Sequence, residues 1–212
     1  MAAMSQSAIA ESWAARPMSV EEWTALPEDE PGELVDGRLV EEEAVGYAHE
    51  IVVIWLAALL RAWIAPRGGL VGGSDARFAV KQKKGGRKPD ITVYLPGSPR
   101  PPAYGLIQVP PDIAVEVVSP TPRDGRRDRV EKVKEYAAFG VKFYWIVDPQ
   151  LRSFEVLELG ADGRYAHAFS ATEGTLASVP GADGLSIDLD GLWSELGRLE
   201  GGDPGTEEEP EG

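Results

Sequence analysis

Cysteine is absent from the chain, so neither disulfides nor thiolate metal sites can form, and a cytoplasmic location is the simplest expectation. Long apolar runs are scarce as well. The longest, IVVIWLAALL (51–60), reaches about Ala65 only with Arg61 inside it. It reads as too short and too interrupted to span a bilayer, and no membrane partner is expected. The N-terminal MAAMSQSAIAESWAARP lacks a basic leading region and a continuous apolar stretch, so no secretory signal is expected. Positive charge is in deficit too: 21 Lys and Arg face 35 Asp and Glu, a net charge of -14. Taken as an average, this opposes a nucleic-acid partner, because phosphate binding depends on Lys and Arg releasing counterions.

The distribution of charge changes that picture. Between Glu200 and Gly212 there are six acidic residues and no basic ones, interspersed with Gly and Pro, the composition of a disordered tail. Lys81, Lys83, Lys84, Arg87 and Lys88 cluster just before Asp90, and Arg123, Arg126, Arg127, Arg129, Lys132 and Lys134 cluster after Glu116. Each basic patch is either a solvated face or a phosphate-binding surface. With 212 residues, 43% hydrophobic and 26% charged, the chain has the length and composition of one globular domain. The expected division is a flexible segment over 1–18, a domain over 19–199 and the acidic tail over 200–212.

Local signals give a mixed α/β order around one sheet. Ser19 with Glu22 three residues on forms a capping box for a short helix. ELVDGRLVEEEA (33–44) reads as a hairpin around Asp36-Gly37, a dipeptide suited to a two-residue turn. Residues 47–65 have the length and composition of a helix stopped by Pro66 and Gly68-Gly69, apolar on most faces and therefore buried against a sheet. GLVGGSDARFAV, KPDITVYL, PDIAVEVVS, KFYWIVDP and SFEVLELG are strand-like. A helix over 126–140, ending at Gly140, interrupts them, with Val130, Val133 and Ala137 as its expected buried stripe. Trp55, Trp63 and Trp145 read as core.

Two carboxylates stand out against this background. Asp90 opens the strand RKPDITVY, and Glu116 lies inside AVEVVS, where a buried, unpartnered carboxylate would cost several kcal/mol or take up a proton. A hard divalent cation between the two would compensate; so would a neighbouring Arg or Lys, or a strand end open to water. Asp128, Lys132 and Tyr136 follow at i, i+4 and i+8 along one flank of the helix, which brings Lys132 beside the sheet. Geometry alone leaves Lys134, on the opposite flank, equally open.

Together these pieces, the PD at 89–90, PDIAVEVVSP (111–120), Asp128-x-x-x-Lys132-x-x-x-Tyr136 and GVKFYWIVDP (140–149), resemble the Uma-type restriction endonuclease family of the PD-(D/E)XK nuclease superfamily. The resemblance covers about residues 19–195 and includes the 33–44 hairpin and His49. It implies a restriction-endonuclease-like mixed β-sheet flanked by helices, with an N-terminal hairpin. It further implies Asp90 and Glu116 as metal ligands, Mg²⁺ (or Mn²⁺) as the ion, Lys132 as the catalytic lysine that orients the water or the leaving side, and Glu33, His49, Asp128 and Tyr136 as secondary candidates. The backbone carbonyl of Val117 is a natural further ligand. One departure is plain: Val118 stands where an E-x-K motif has its lysine.

The function these readings imply is metal-dependent phosphodiester hydrolysis, with Lys83, Lys84, Arg87, Lys88, Arg126 and Arg127 as contacts to nucleic acid, DNA in the first instance. A homodimer able to reach both strands is a mild expectation. The alternative is a non-catalytic binding or assembly module that keeps the nuclease fold; a two-carboxylate sugar hydrolase ranks last, since it leaves Lys132 and the basic clusters without a role.

Overall fold

A computed structural model describes residues 16–27, 32–40, 46–81, 83–121 and 126–200. Most of the expected N-terminal segment and nearly all of the acidic tail lie outside these residues, as do positions 41–44 of the expected hairpin. Within the first segment, Met18 is buried and its N–H bonds the Gly37 carbonyl.

Helix α1 (Val20–Thr24) begins where Ser19 and Glu22 exchange both bonds of a capping box. Its end is held by Arg77, whose guanidinium donates to the carbonyls of Trp23, Thr24, Leu26 and Pro27. Strands β1 (Glu33–Val35) and β2 (Arg38–Val40) form the hairpin. Asp36 and Gly37 both take positive φ, as a primed two-residue turn requires. Helix α2 (Tyr47–Ile64) continues as one 3-10 turn, Ala65–Arg67, that closes on left-handed Gly68.

After β3 (Leu70–Gly72) come β4 (Phe78–Lys81), β5 (Gly85–Arg87), β6 (Ile91–Tyr94) and β7 (Ile113–Val117). A π-helical turn (Arg127–Glu131) leads into α3 (Lys132–Phe139), which ends on left-handed Gly140. Then follow β8 (Phe143–Asp148), β9 (Ser153–Leu159), β10 (Tyr165–Ala171), β11 (Thr175–Leu176), β12 (Ile187–Asp188) and α4 (Leu189–Glu200).

The expected single sheet is in fact divided. The main sheet is six-stranded, in the order β10-β9-β8-β7-β6-β3, while β2-β1-β5-β4 form a separate four-stranded sheet and β11-β12 a small pair. The five residues 83–87, KKGGR, are Lys, Gly and Arg, so β5 has no apolar alternation from which a strand could be read. Within the main sheet every neighbouring pair is antiparallel except β7 and β8, which the crossover through α3 makes parallel.

Alternation along β7 feeds two cores. Ile113, Val115 and Val117 face the layer of α2 and α4, with Trp145, Val147, Phe154 and Leu192. Ala114 and Val118 face the α3 layer, with Tyr136, Tyr144 and Ile146, and Glu116 shares their side of the strand. Trp145 is fully buried, whereas Trp55 and Trp63 are only partly so.

Two expectations about helices need correcting. Including its 3-10 turn, α2 runs over 21 residues with mean hydropathy 1.6, long and apolar enough by length and composition to cross a membrane; its inner stripe, Val52, Leu56, Leu60 and Ile64, is nevertheless packed on the sheet. In the second helix Val130 is exposed and Val133 and Ala137 only half-buried, while Asp128, Lys132 and Tyr136 are the buried stripe. The π turn takes an extra residue per turn and shifts the helical phase ahead of α3, and ion pairing draws Lys132 inward.

A third, smaller core packs α1 and its flanks on the four-stranded sheet: Met18, Val20, Trp23, Leu26, Leu34 and Leu39. Trp23 lies directly on Gly86, where an added Cβ would stand 2.2 Å from Cζ3. Gly86→Ala is therefore expected to destabilise the fold by about 1–3 kcal/mol through overpacking, measured as a lower urea midpoint at unchanged slope.

Candidate active site

Pro89 and Asp90 end β6 on the side where β7 continues. The antiparallel register pairs Ile91 with Val115, so one step further Asp90 comes opposite Glu116, and directly opposed residues share a face. Beyond that point the Val117 N–H has no β6 partner, and the Asp90 carboxylate takes its place, accepting from Val117 N at 2.7 Å. A carboxylate at the strand mouth thus satisfies a backbone donor where the ladder with β6 stops.

Glu116 is buried and both its oxygens are engaged. Lys132 Nζ donates to Oε2 at 2.8 Å and the Tyr136 hydroxyl to Oε1 at 2.6 Å. The same ammonium lies 3.2 Å from Asp128 and 3.7 Å from Glu33. Helical spacing explains the convergence: Asp128, Lys132 and Tyr136 lie on successive turns of one face, Lys132 and Tyr136 reaching Glu116 and Asp128 flanking the Lys132 ammonium. Lys134, the other lysine that helix geometry left open, is exposed.

Glu33 arrives from β1 and is held in the interior by Arg87. The guanidinium donates to Glu33 Oε2 and to Glu135 Oε2, each at 2.6 Å, and the Lys88 N–H donates to Glu33 Oε1 at 2.9 Å. Arg87 is fully buried, so its expected contact with nucleic acid is replaced by a structural ion pair. Arg127 is also buried; the π turn carries it inward along with Asp128. Lys83, Lys84 and Arg126 are exposed and Lys88 is half-buried. Glu135 is the residue of this cluster that sequence reading missed, and Arg87 was read as a nucleic-acid contact, not as a member of the cluster. The only signal for Glu135 is its i+3 position from Lys132.

His49, in the first turn of α2, places Nε2 3.3 Å from Asp90 Oδ2. Burial alone would depress the imidazole, but the hydrogen bond and charge of Asp90, aided by Glu50, carry its pKa upward. Every secondary candidate is therefore brought to one cluster.

Its electrostatics are unbalanced. Burial pushes the Glu116 carboxyl well above the carboxylate range; Lys132 opposes this, and Asp90, Asp128 and Glu33 add to it. Asp128 is raised for the same reason, burial first. Glu33 goes the other way, because Lys132, Arg87 and the Lys88 N–H outweigh its burial. For Lys132, burial favours the neutral amine, yet Glu116, Glu33 and Asp128 raise it well above the ordinary lysine value. Tyr136 is raised by burial and by Glu116, so its hydroxyl remains a neutral donor.

Acid in excess of base, with oxygen donors only from Asp90, Glu116 and the peptide of Val117, is the donor chemistry of a hard divalent cation. In this arrangement Lys132 and Tyr136 occupy the Glu116 oxygens, and among the described residues no group of three His, Asp or Glu stands ready spaced for a metal. The donors fit the ion chemically, and loading it requires Glu116 to exchange partners.

The family model described as Uma2, "Putative restriction endonuclease", matches residues 20–190. The chain belongs to this family. Among solved structures, one titled as a "putative nuclease belonging to DUF820" from Anabaena variabilis ATCC 29413 superposes with a TM-score of 0.67 at 18% identity, covering 85% of this chain and 99% of that one. At that identity the likeness concerns the fold, and it agrees with the restriction-endonuclease-like mixed sheet expected for a Uma2 chain. No curated protein sequence matches.

Lys132 lies within 3.7 Å of three buried carboxylates, and since Glu33 keeps Arg87 as a second partner, removing Lys132 strands chiefly Glu116 and Asp128. Lys132→Met is expected to destabilise the protein by about 3–5 kcal/mol at pH 8. The sign with pH follows from the raised carboxyls: as pH falls through their range Glu116 and Asp128 become neutral, and the deficit against wild type narrows. Urea denaturation of both proteins from pH 8 to pH 4 measures this; a deficit that stays constant would contradict the charge account.

Proposed function

We propose that the chain is a divalent-metal-dependent endonuclease that hydrolyses phosphodiester bonds of nucleic acid, DNA in the first instance. The observation that carries this reading is the buried lysine that the crossover helix brings to a strand carboxylate: Lys132 lies 2.8 Å from Glu116, and Asp90 accepts from the adjacent Val117 N–H. Membership of a family described as restriction endonucleases supports it.

In this reading Asp90, Glu116 and the Val117 carbonyl hold Mg²⁺ or Mn²⁺. When bound, such an ion lowers the pKa of its water and stabilises charge on the phosphate. The chain's own groups supply the rest. The Val117 N–H and His49 fix the Asp90 carboxylate before substrate arrives, so little reorganisation is needed. Tyr136 orients Glu116. Lys132 stays protonated in its acidic surroundings, which suits it to donate a hydrogen bond to the attacking water or to a phosphate oxygen, and not to abstract a proton. Glu33, anchored by Arg87 and Lys88, holds the ammonium from the other side. Lys83, Lys84, Lys88 and Arg126 remain as contacts to the phosphate backbone, which position a substrate without reading bases.

One observation favours the second reading, a non-catalytic module: both oxygens of Glu116 are already bonded within the protein. The two readings separate in a single set of assays. Wild type is expected to nick supercoiled plasmid with Mg²⁺ or Mn²⁺, and Asp90→Ala and Lys132→Ala, checked for folding by circular dichroism, to lose about 100-fold or more of that rate. Calorimetric Mn²⁺ binding should disappear in Asp90→Ala. Wild type that neither cuts plasmid, single-stranded DNA or RNA nor binds metal would leave the module.

Binding to DNA through the exposed basic residues should weaken steeply with salt, and Lys84→Glu or Arg126→Glu should flatten that dependence. A salt-independent affinity would remove nucleic acid as the ligand.

A further inference from the structure

The outer face of α2 presents a stripe that nothing among the described residues covers. Tyr47, Glu50, Ile54, Ala58, Arg61 and Ala65 are all exposed, and their 3- and 4-residue spacing places them on one side of the helix, opposite the packed stripe. Ile54 is 66% and Tyr47 72% exposed. Leu70, at the start of the strand that packs beside the helix, is exposed as well. Arg61 forms no ion pair among the described residues.

The order of these residues is self-complementary. Tyr47 and Ala65 are centred on position 56, Ile54 and Ala58 are also centred on 56, and Glu50 and Arg61 are centred between 55 and 56. Laid antiparallel against a second copy across a two-fold axis at that point, the helix would meet itself with each large side chain against a small one and each charge against its opposite. Ile54 packs on Ala58 of the second copy, Tyr47 covers its Ala65, and Glu50 pairs with its Arg61, each contact occurring twice. An isologous interface has this property, the same patch serving both partners.

We propose that this face of α2 is a homodimer interface, formed by antiparallel, two-fold pairing of the helix with a second copy of the chain. A single helix pair is smaller than a standard protein interface, so the dimer is concentration-dependent and in the micromolar range. Rise per residue sets the two His49 positions, and with them the two candidate sites, about 20 Å apart along the helix axes. A lipid surface is the less favoured occupant, because a chain of net charge -14 is repelled by anionic bilayers. The inference does not rest on nuclease activity, and its test does not use cleavage.

The experiment is sedimentation velocity of the full chain over a concentration series, with circular dichroism confirming that each variant folds. Wild type should shift from monomer to dimer. Ile54→Glu should weaken the dimer about tenfold or more. Glu50→Arg and Arg61→Glu should each weaken it, and the double variant should restore it, a recovery that a merely apolar or misfolded contact would not give. Wild type that stays monomeric to hundreds of micromolar, or a dimer indifferent to Ile54→Glu, overturns the proposal. Two other results would reassign the face: a dimer that appears only when residues 1–15 are removed gives it to the chain's own N-terminus. Pelleting of monomer with phosphatidylglycerol vesicles, lost in Ile54→Glu, gives it to a membrane.

Discussion

A lysine ammonium enclosed by carboxylates is the constraint around which this fold is organised. Lys132 cannot be buried alone, since desolvation would strip its proton or unfold its helix. It is stable inside because Glu116, Asp128 and Glu33 surround it. Those acids come from β7, the π turn and β1, so one ion cluster ties the crossover helix to both sheets. Arg87 repeats the device a few ångströms away, joining β5 to β1 and to α3 through Glu33 and Glu135.

The cluster also shows how a lysine meets the strand carboxylate although none stands at the E-x-K position. Val118 occupies the E-x-K position, two residues from Glu116 and on the same side of β7, where it packs into the α3 core. The positive charge instead arrives from the helix that covers that core. A lysine delivered from above reaches the same carboxylate without interrupting the apolar run of the strand. The cost falls on Glu116 and Asp128, which burial first, and the neighbouring acids after it, hold above their usual pKa.

Glycine and proline do quieter work at the same place. Pro89, which cannot donate to a ladder, stands just before β6, and where the β6–β7 pairing stops the Val117 N–H is taken by Asp90. Gly86 lets Trp23 lie flat on β5, which sets the strand that carries Arg87. The small N-terminal core and the acid cluster are thus consecutive stations on one strand.

Asp90, Glu116 and Lys132 could be read from the sequence because each violates its local pattern: a carboxylate at a strand mouth, a carboxylate among valines, a lysine at the right helical interval. His49, Asp128 and Tyr136 were legible through spacing and resemblance. Local chemistry also determined the capping box at Ser19, the turn at Asp36-Gly37 and the stop at Gly140, since each depends on neighbours within four residues. Tertiary structure alone decided the division into two sheets and the inward face of the Asp128–Tyr136 stripe; helix geometry left Lys134 open beside Lys132, and the resemblance pointed to Lys132 before the fold buried it. Tertiary structure also decided that Arg87 and Arg127 are interior while Lys83, Lys84 and Arg126 face water. Charge in a sequence has no side until distant carboxylates give it one: Arg87 is buried because Glu33, 54 residues earlier, and Glu135, 48 residues later, are folded against it.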